Sequence, residues 1–278
     1  MFKYIIPQSN LTVEQLLRTK WRLGKKLVHE LRMAKAVTYE DGTVVVWNDK
    51  LEAGTIIQFT FEMPTSNYIP TDICEVKICY EDDHCLIVSK PKGMATHPND
   101  EHDTDTCMNH VMAHIKANGG DYAEHVHRLD RGTKGLLLVA KHPIAKSVFD
   151  RMIEEKSIIR MYSAEVQGNI RQESGTINAP IGKDRHHATR RVVSKSGQHA
   201  ITHFEVVKRF KNTCIVHLIL ETGRTHQIRV HMAHIGHPIV GDTMYNARKT
   251  ASGDYELHAI QLEFEHPFLN EKIIVKDE

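Results

Sequence analysis

The stretch HRLDRGTKGLLLVAK, residues 127–141, sets six polar or glycine positions in its first seven directly before the apolar run GLLLVA (135–140). The apolar run reads as a buried strand. Pro143 then opens a helix that carries Ile144, Val148, Met152 and Ile153 on one stripe. Upstream, VKICY and CLIVS bracket Glu81-Asp82-Asp83-His84 as a hairpin, and Met108, Val111, Met112 and Ile115 form a helical stripe ending at Gly119-Gly120. Downstream, THFEVV and TCIVHLILE read as strands, and THQIRVHMAHIG as a helix closed by Gly236 and followed by Pro238. From Val76 onward strands and helices therefore alternate, yet no Gly-x-Gly phosphate loop and no regular strand-helix-strand spacing accompanies them. That pattern predicts a mixed α+β domain rather than a doubly wound parallel sheet.

Residues 11–61 form a separate unit. Thr12 stands three residues before Gln15, a capping-box spacing, and Leu27, Val28 and Leu31 mark the apolar face of a second short helix. AVTYE and TVVVW flank Asp41-Gly42 as a hairpin, and Gly54 precedes the apolar-rich TIIQFTF. The segment MPTSNYIPTD, with two prolines and no periodicity, reads as a linker. The expected division is 1–62, a small N-terminal α/β domain; 63–72, the linker; and 73–278, the main domain.

The chain of 278 residues, 41% hydrophobic and 26% charged, excludes disordered, collagen-like and disulfide-stapled classes. No run approaches the ~20 apolar residues that span a bilayer, and the start lacks a secretory pattern, so a cytoplasmic protein with no membrane partner is expected. Five cysteines without a CxxC pair offer neither a zinc ribbon nor a redox motif. Net charge is only +1, but Arg18, Lys20, Arg22, Lys25, Lys26, Arg32 and Lys35 face the single acid Glu30, a local charge of +6. Such a field suits the phosphates of a nucleic acid; the plainer alternative is a solvated helix face.

Three segments carry candidate chemistry. Asp130 lies between Arg128 and Arg131, whose charges favour an ionised carboxylate, better suited to nucleophilic attack than to acid catalysis; a loop salt bridge is the alternative. In TGRTHQIRVH (222–231), a helix beginning near Thr225 would place His226 and Arg229 on one face and leave Arg229 free to hold an anion. Tyr162 heads the alternating strand YSAEVQG, where it could stack on a planar substrate or serve as a core aromatic. His110 and His114 are four apart on a helix, but HExxH is absent, no third ligand follows at a diagnostic spacing, and there is no GxSxG elbow. No metal is expected.

Taken together, these segments resemble the RluA-type family of RNA pseudouridine synthases. YEDDHCLIVSKPKGMATHP (80–98), HRLDRGTKGLLLVAK (127–141), RMYSAEVQG (160–168), TGRTHQIRVHMAHIGHPIVGD (222–242) and LHAIQLEFEHP (257–267) stand in the family's order across residues 76–268. The N-terminal unit resembles, more weakly, an S4-type RNA-binding domain. The resemblance implies a mainly antiparallel mixed sheet with a cleft between two halves of the main domain. It makes Asp130 the catalytic aspartate, Arg229 its partner, Tyr162 the residue that stacks on uracil, and Arg128 an RNA-binding residue that enters the stack vacated by the base.

Arg160, where the family usually has lysine, and Gln198, where many members have lysine, depart from the pattern outside this set. Uridine-to-pseudouridine conversion is an isomerisation that needs no cofactor. Its substrate would be RNA, ribosomal RNA of the large subunit first and transfer RNA second, with a monomer as the default. An RNA-binding assembly factor without catalysis is the competing class; its mark would be loss of Asp130 or Arg229, and both are present.

Overall fold

Strand β1 (Phe2–Ile5) pairs antiparallel with β3 (Ile56–Phe59), and β2 (Val37–Tyr39) takes the other edge of β3. This is the start of a computed structural model that describes residues 1–100, 102–250 and 253–277. β1 lies outside the unit that periodicity delimits, because four residues ahead of Pro7 are too few to show an alternation, although Phe2 and Tyr4 face inward.

The capping box forms, with Thr12 Oγ1 accepting from Gln15 N and Gln15 Oε1 from Thr12 N, both at 3.1 Å. Helix α1 (Val13–Gln15) continues as a π-helical turn over Leu16–Lys20, and α2 (Lys25–Met33) follows. The Asp41-Gly42 turn also forms, closed by Tyr39 N to Thr43 O at 2.8 Å. Its second arm is a single bridge, Val44 to Thr38, instead of the expected strand. The chain leaves the sheet there to bring Trp47 O to Glu14 N at 3.2 Å.

The main sheet has ten strands. Eight run β4 (Lys77–Glu81), β5 (Cys85–Lys90), β7 (Lys134–Ala140), β14 (Leu257–Glu265), β8 (Ile159–Gln167), β13 (Thr213–Leu220), β12 (Ile201–Arg209), β9 (Ser174–Asn178), with β6 (Glu124–His125) on β7 and β15 (Lys272–Lys276) on β14. β10 (Ile181–Lys183) and β11 (Arg191–Val193) make a separate hairpin. Among the described residues only β7 and β14 pair in parallel, so the sheet is mixed and mainly antiparallel. Gly135 sits at that pairing with φ +108°, and a Cβ there would lie 2.2 Å from Ala259 O.

GLLLVA is continuously apolar because both faces of β7 are covered. Leu137 and Val139 pack with Met108, Val111, Met112 and Ile115 of α3 (Cys107–Ala117). Leu136 and Leu138 pack with Ile144, Val148 and Phe149 of α4 (Pro143–Glu154).

That second cluster runs without a break into the N-terminal unit. The Phe2 ring stacks on Phe59 at 4.9 Å and on His142 at 4.7 Å, and Trp21 lies 4.9 Å from Phe268. Residues 63–72 hold no helix or strand, and they are tied down. Ser66 Oγ donates to Ala123 O at 2.7 Å and Asn109 Nδ2 to Ile69 O at 2.6 Å. The residues on either side of this segment share one core. Among the described residues no helix is long and apolar enough to cross a membrane.

Candidate active site

Asp130 sits in the loop between β6 and β7, and the loop is clamped from both sides. Thr96 Oγ1 donates to Leu129 O at 2.8 Å and accepts from Leu129 N at 3.0 Å. Lys90 is fully buried; its Nζ donates to Met94 O at 2.7 Å, Pro91 O at 2.9 Å and Arg131 O at 3.3 Å. Burial draws the Lys90 pKa down to about 8, with Asp130 among the charges that oppose the fall. The KPKG turn thus holds the Asp130 loop by its backbone. Sequence reading placed Lys90 in a recognisable block without giving it a task.

Arg128 and Arg131, the chain neighbours of Asp130, are exposed. The cation at the carboxylate comes instead from α5 (Gln227–His234), where Arg229 Nη1 lies 3.5 Å from Asp130 Oδ2. Arg229 is not free to hold an anion, as its sequence position suggested. Its Nε donates to Asp242 Oδ2 at 2.7 Å and Nη2 to Asp242 Oδ1 at 2.9 Å. Tyr255 and Tyr245 flank the guanidinium, their ring centroids at 4.3 and 5.1 Å. Burial works against the Arg229 charge, and the Asp242 hydrogen bonds together with the nearby Tyr255, Asp242 and Asp130 outweigh it, so the pKa is raised.

The helix starts two residues later than Thr225, and His226 adopts left-handed φ 60° just before it. There His226 Nε2 lies 4.0 Å from Asp130 Oδ2 and Nδ1 lies 2.9 Å from the Tyr245 hydroxyl. Asp242, Tyr245 and Tyr255 escaped sequence reading. Asp242 at least closes the TGRTHQIRVHMAHIGHPIVGD block, whereas Tyr255 has no local signal.

Tyr162 lies on the inward face of β8 and is 5% exposed. Burial pushes its pKa up; Arg160 opposes the rise and Asp130 adds to it. At neutral pH the hydroxyl therefore stays protonated. Asp130, Tyr162, Arg128, Arg229 and His226 line a cleft of about 970 Å³ that also takes in His97, Arg131 and Arg224. The three site residues expected from the sequence thus converge on one cavity.

The N-terminal basic residues do not form one helix face. They spread over the π turn, Arg22, α2 and Lys35, and carboxylates from outside the run meet several of them: Glu14 pairs with both Arg18 and Arg32, and Glu155 with Arg22. Glu30 lies 3.8 Å from Lys26, and Lys20 bonds Tyr4 Oη at 2.8 Å. Lys25 and Lys35 are exposed, and among the described residues they make no ion pair. The local field is weaker than the count within 18–35 implied. His110 and His114 turn to different carboxylates, Asp105 and Glu81, each at 2.8 Å.

A clamped carboxylate facing an arginine across an open cleft, on a mixed sheet of this order, can be compared with known proteins. Residues 84–234, more than half of the chain, match the family model described as RNA pseudouridylate synthase. The chain belongs to the RNA pseudouridine synthase family. As a pseudouridine synthase it is an isomerase. Residues 2–57 match the RluD ribosomal pseudouridine synthase N-terminal domain.

An uncharacterized RNA pseudouridine synthase of Bacillus subtilis, YhcT, is 44% identical, over 77% of this chain and 72% of that protein. Ribosomal large subunit pseudouridine synthase D of Haemophilus influenzae is 34% identical, over 96% and 90% of the two chains. The structure is similar to that of human RNA pseudouridylate synthase domain containing 1. The TM-score is 0.60 at 26% identity, with 75% of this chain and 85% of that one covered.

Proposed function

We propose that this synthase converts specific uridines of large-subunit ribosomal RNA to pseudouridine in the cytoplasm, with Asp130 as the catalytic carboxylate. The observation that carries the reading is the Asp130–Arg229 contact. A carboxylate exposed to the cleft faces a guanidinium whose other donors are already committed to Asp242. The preference for ribosomal RNA draws on the relatives named ribosomal large subunit pseudouridine synthase D. All the groups invoked belong to one chain, so a monomer suffices.

The reaction breaks the N1–C1′ bond of uridine, turns the base and rejoins it through C5. The target base first leaves its stack at a cost of a few kcal/mol. Stacking on Tyr162 and entry of exposed Arg128 into the vacated stack offset that cost. Asp130, held by Arg229, then acts on the sugar as nucleophile or base. The proton released from C5 goes to water, because buried Tyr162 holds its own.

In this reading residues 1–62 are an S4-like RNA-binding domain, 63–72 a strapped linker and 73–278 the catalytic domain. Pseudouridine mapping in total RNA, by an adduct that stops reverse transcription, tests the proposal in strains with and without the gene. Stops lost only from large-subunit ribosomal RNA are expected. Losses confined to transfer RNA would reassign the substrate, and no losses would overturn the activity.

A further inference from the structure

Arg160 stands just behind the lining of the cleft. It is 5% exposed, its Nε is enclosed without a hydrogen-bond partner, and among the described residues no carboxylate pairs with it. The other two cations buried as whole residues are provided for: Lys90 has three carbonyls and Arg229 has Asp242, while Arg190 and Arg191, which also enclose an unpartnered nitrogen, are only half-buried. Enclosing a guanidinium donor without a partner costs about 1–3 kcal/mol or more, which an acceptor on a ligand would relieve.

Its position indicates what would meet it. Arg160 stands two residues before Tyr162 on the same inward face of β8, about 6.5 Å along the strand. A Cβ at Gly223 would lie 3.2 Å from Arg160 Nη1, and Gly223 lines the cleft, so the tip of the guanidinium approaches the cleft at a position that carries no side chain of its own. Its charge is felt at His127, a cleft residue, whose pKa burial and Arg160 together draw down to about 3.

We propose that Arg160 is a further catalytic residue, holding the negative charge of the uracil while the base is detached from C1′; this rests on the functional reading above. When N1–C1′ breaks, the bonding pair leaves with the base and resonance spreads it onto O2 and O4. The deficit at C1′ is met by Asp130, as an ester or through loss of a C2′ proton. When C5 bonds to C1′ the pair returns to the sugar and either the Asp130 carboxylate is released from its ester or Asp130 gives the proton back to C2′; C5 then gives up its proton and N1 takes one, so atoms and electrons balance. The anion exists only in that interval, and a fixed cation beside it lowers the barrier without tightening substrate binding. A base oxygen fits better than a phosphate, because the base is what reaches the depth of Tyr162, while the exposed Arg128, Arg131 and Arg224 serve the rim.

Arg160→Met and Arg160→Lys, in the full chain with the RNA identified by mapping, test this under single turnover. Met should slow uridine conversion by about 10²-fold or more, as loss of an oxyanion donor does. RNA affinity should stay within about twofold and Tm should be equal or higher, because an unpaired buried charge is gone. With 5-fluorouridine at the target, whose fluorine itself stabilises the base anion, loss of the starting nucleoside should slow by no more than about tenfold. Lys should restore most of the rate.

An equal fall on both substrates, or a fall matched by a lower Tm, would make Arg160 structural and overturn the inference. Weaker binding with an unchanged bound rate would make it a phosphate contact, which overturns it too. If wild type modifies no RNA, the functional reading itself fails, an outcome separate from these.

Discussion

Two enclosed polar regions of this molecule differ in how their groups are answered. At the seam between the N-terminal unit and the main sheet, the polar groups find partners within the protein. His84 Nδ1 meets His142 Nε2 at 3.0 Å, and His142 Nδ1 accepts from Ala145 N at 3.1 Å. Asp82 accepts from His84 N at 2.6 Å, Cys85 N and Tyr80 Oη at 2.8 Å, and pairs with His266 at 3.1 Å. Asp82, Cys85 and His266 stand within 4.8 Å of one another, close enough for a metal ion, yet Asp82 already has its donors. In the cleft the balance reverses: Asp130 has one Arg229 nitrogen at 3.5 Å and His226 Nε2 at 4.0 Å, and beside the cleft the enclosed Nε of Arg160 has no hydrogen-bond partner. Polar groups that are answered weld the fold, and polar groups left unanswered await a substrate.

The contrast is broken most severely at Asp130. Asp130→Asn keeps the shape and removes the charge, and it should abolish tritium release from C5-labelled RNA, by about 10³-fold or more, with RNA affinity nearly intact. Residual turnover within about tenfold of wild type would remove Asp130 from its role.

Arg229→Ala comes next and strikes stability as well. Asp242 is only 1% exposed and would lose both its hydrogen bonds, a cost of about 3–5 kcal/mol, whereas Asp130 retains access to water. Arg229→Lys is the more readable variant. An ammonium cannot hold Asp242 in a fork and still reach Asp130, so partial activity is expected with the fold retained. A fully active Lys variant would contradict the pairing geometry.

The seam should show itself through pH. Burial holds the His84 pKa at about 4, and burial with the His84 charge keeps His142 well below the ordinary 6.5. As pH falls below 6.5 the unfolded chain takes up these protons first, so their contribution is complete above pH 6.5 and is lost progressively down to pH 4. His84 alone would contribute about 3 kcal/mol to that loss. Urea midpoints at pH 7, 6 and 5 should decline, and His84→Phe should start lower but decline less steeply. A flat wild-type profile would mean that the seam does not bury neutral imidazoles.

Elements with strong local patterns were legible from sequence, because their pattern is their cause. The hairpin of β4 and β5, the stripe of α3, the double-sided burial of β7 and the Pro143 start of α4 all follow from nearest neighbours along the chain. What depends on distant chain was not. Asp242 and Tyr255 meet Asp130's partner, Arg229, and Tyr255 comes to it from just before β14, which lies beside β7, a pairing between segments more than a hundred residues apart. The seam was likewise hidden, since Phe2, His142 and Phe268 carry no mutual signal until three elements converge. The surroundings of the basic run were hidden for the same reason: its charge is counted within a window, and Glu14 and Glu155 lie outside it.

Those outside carboxylates lead to the smallest expected effect. Deleting residues 1–62 would strip Phe2, Trp21 and Phe59 from a core they share with Phe268 and His142, so the loss would report on folding before it reported on RNA. Point variants avoid this. If the N-terminal face meets phosphates, Lys25 and Lys35, which bear no ion pair among the described residues, should each lower the slope of log affinity against log salt by somewhat less than one unit when changed to alanine. Arg18→Ala should change the slope less, because Arg18 shares Glu14 with Arg32 and its removal leaves Arg32 paired. Filter binding of long structured RNA at several salt concentrations reads all three variants side by side. Slopes that fall equally for Arg18 and Lys25 would show that the ion pairs open on RNA, and slopes that do not move at all would make the whole run a solvated surface.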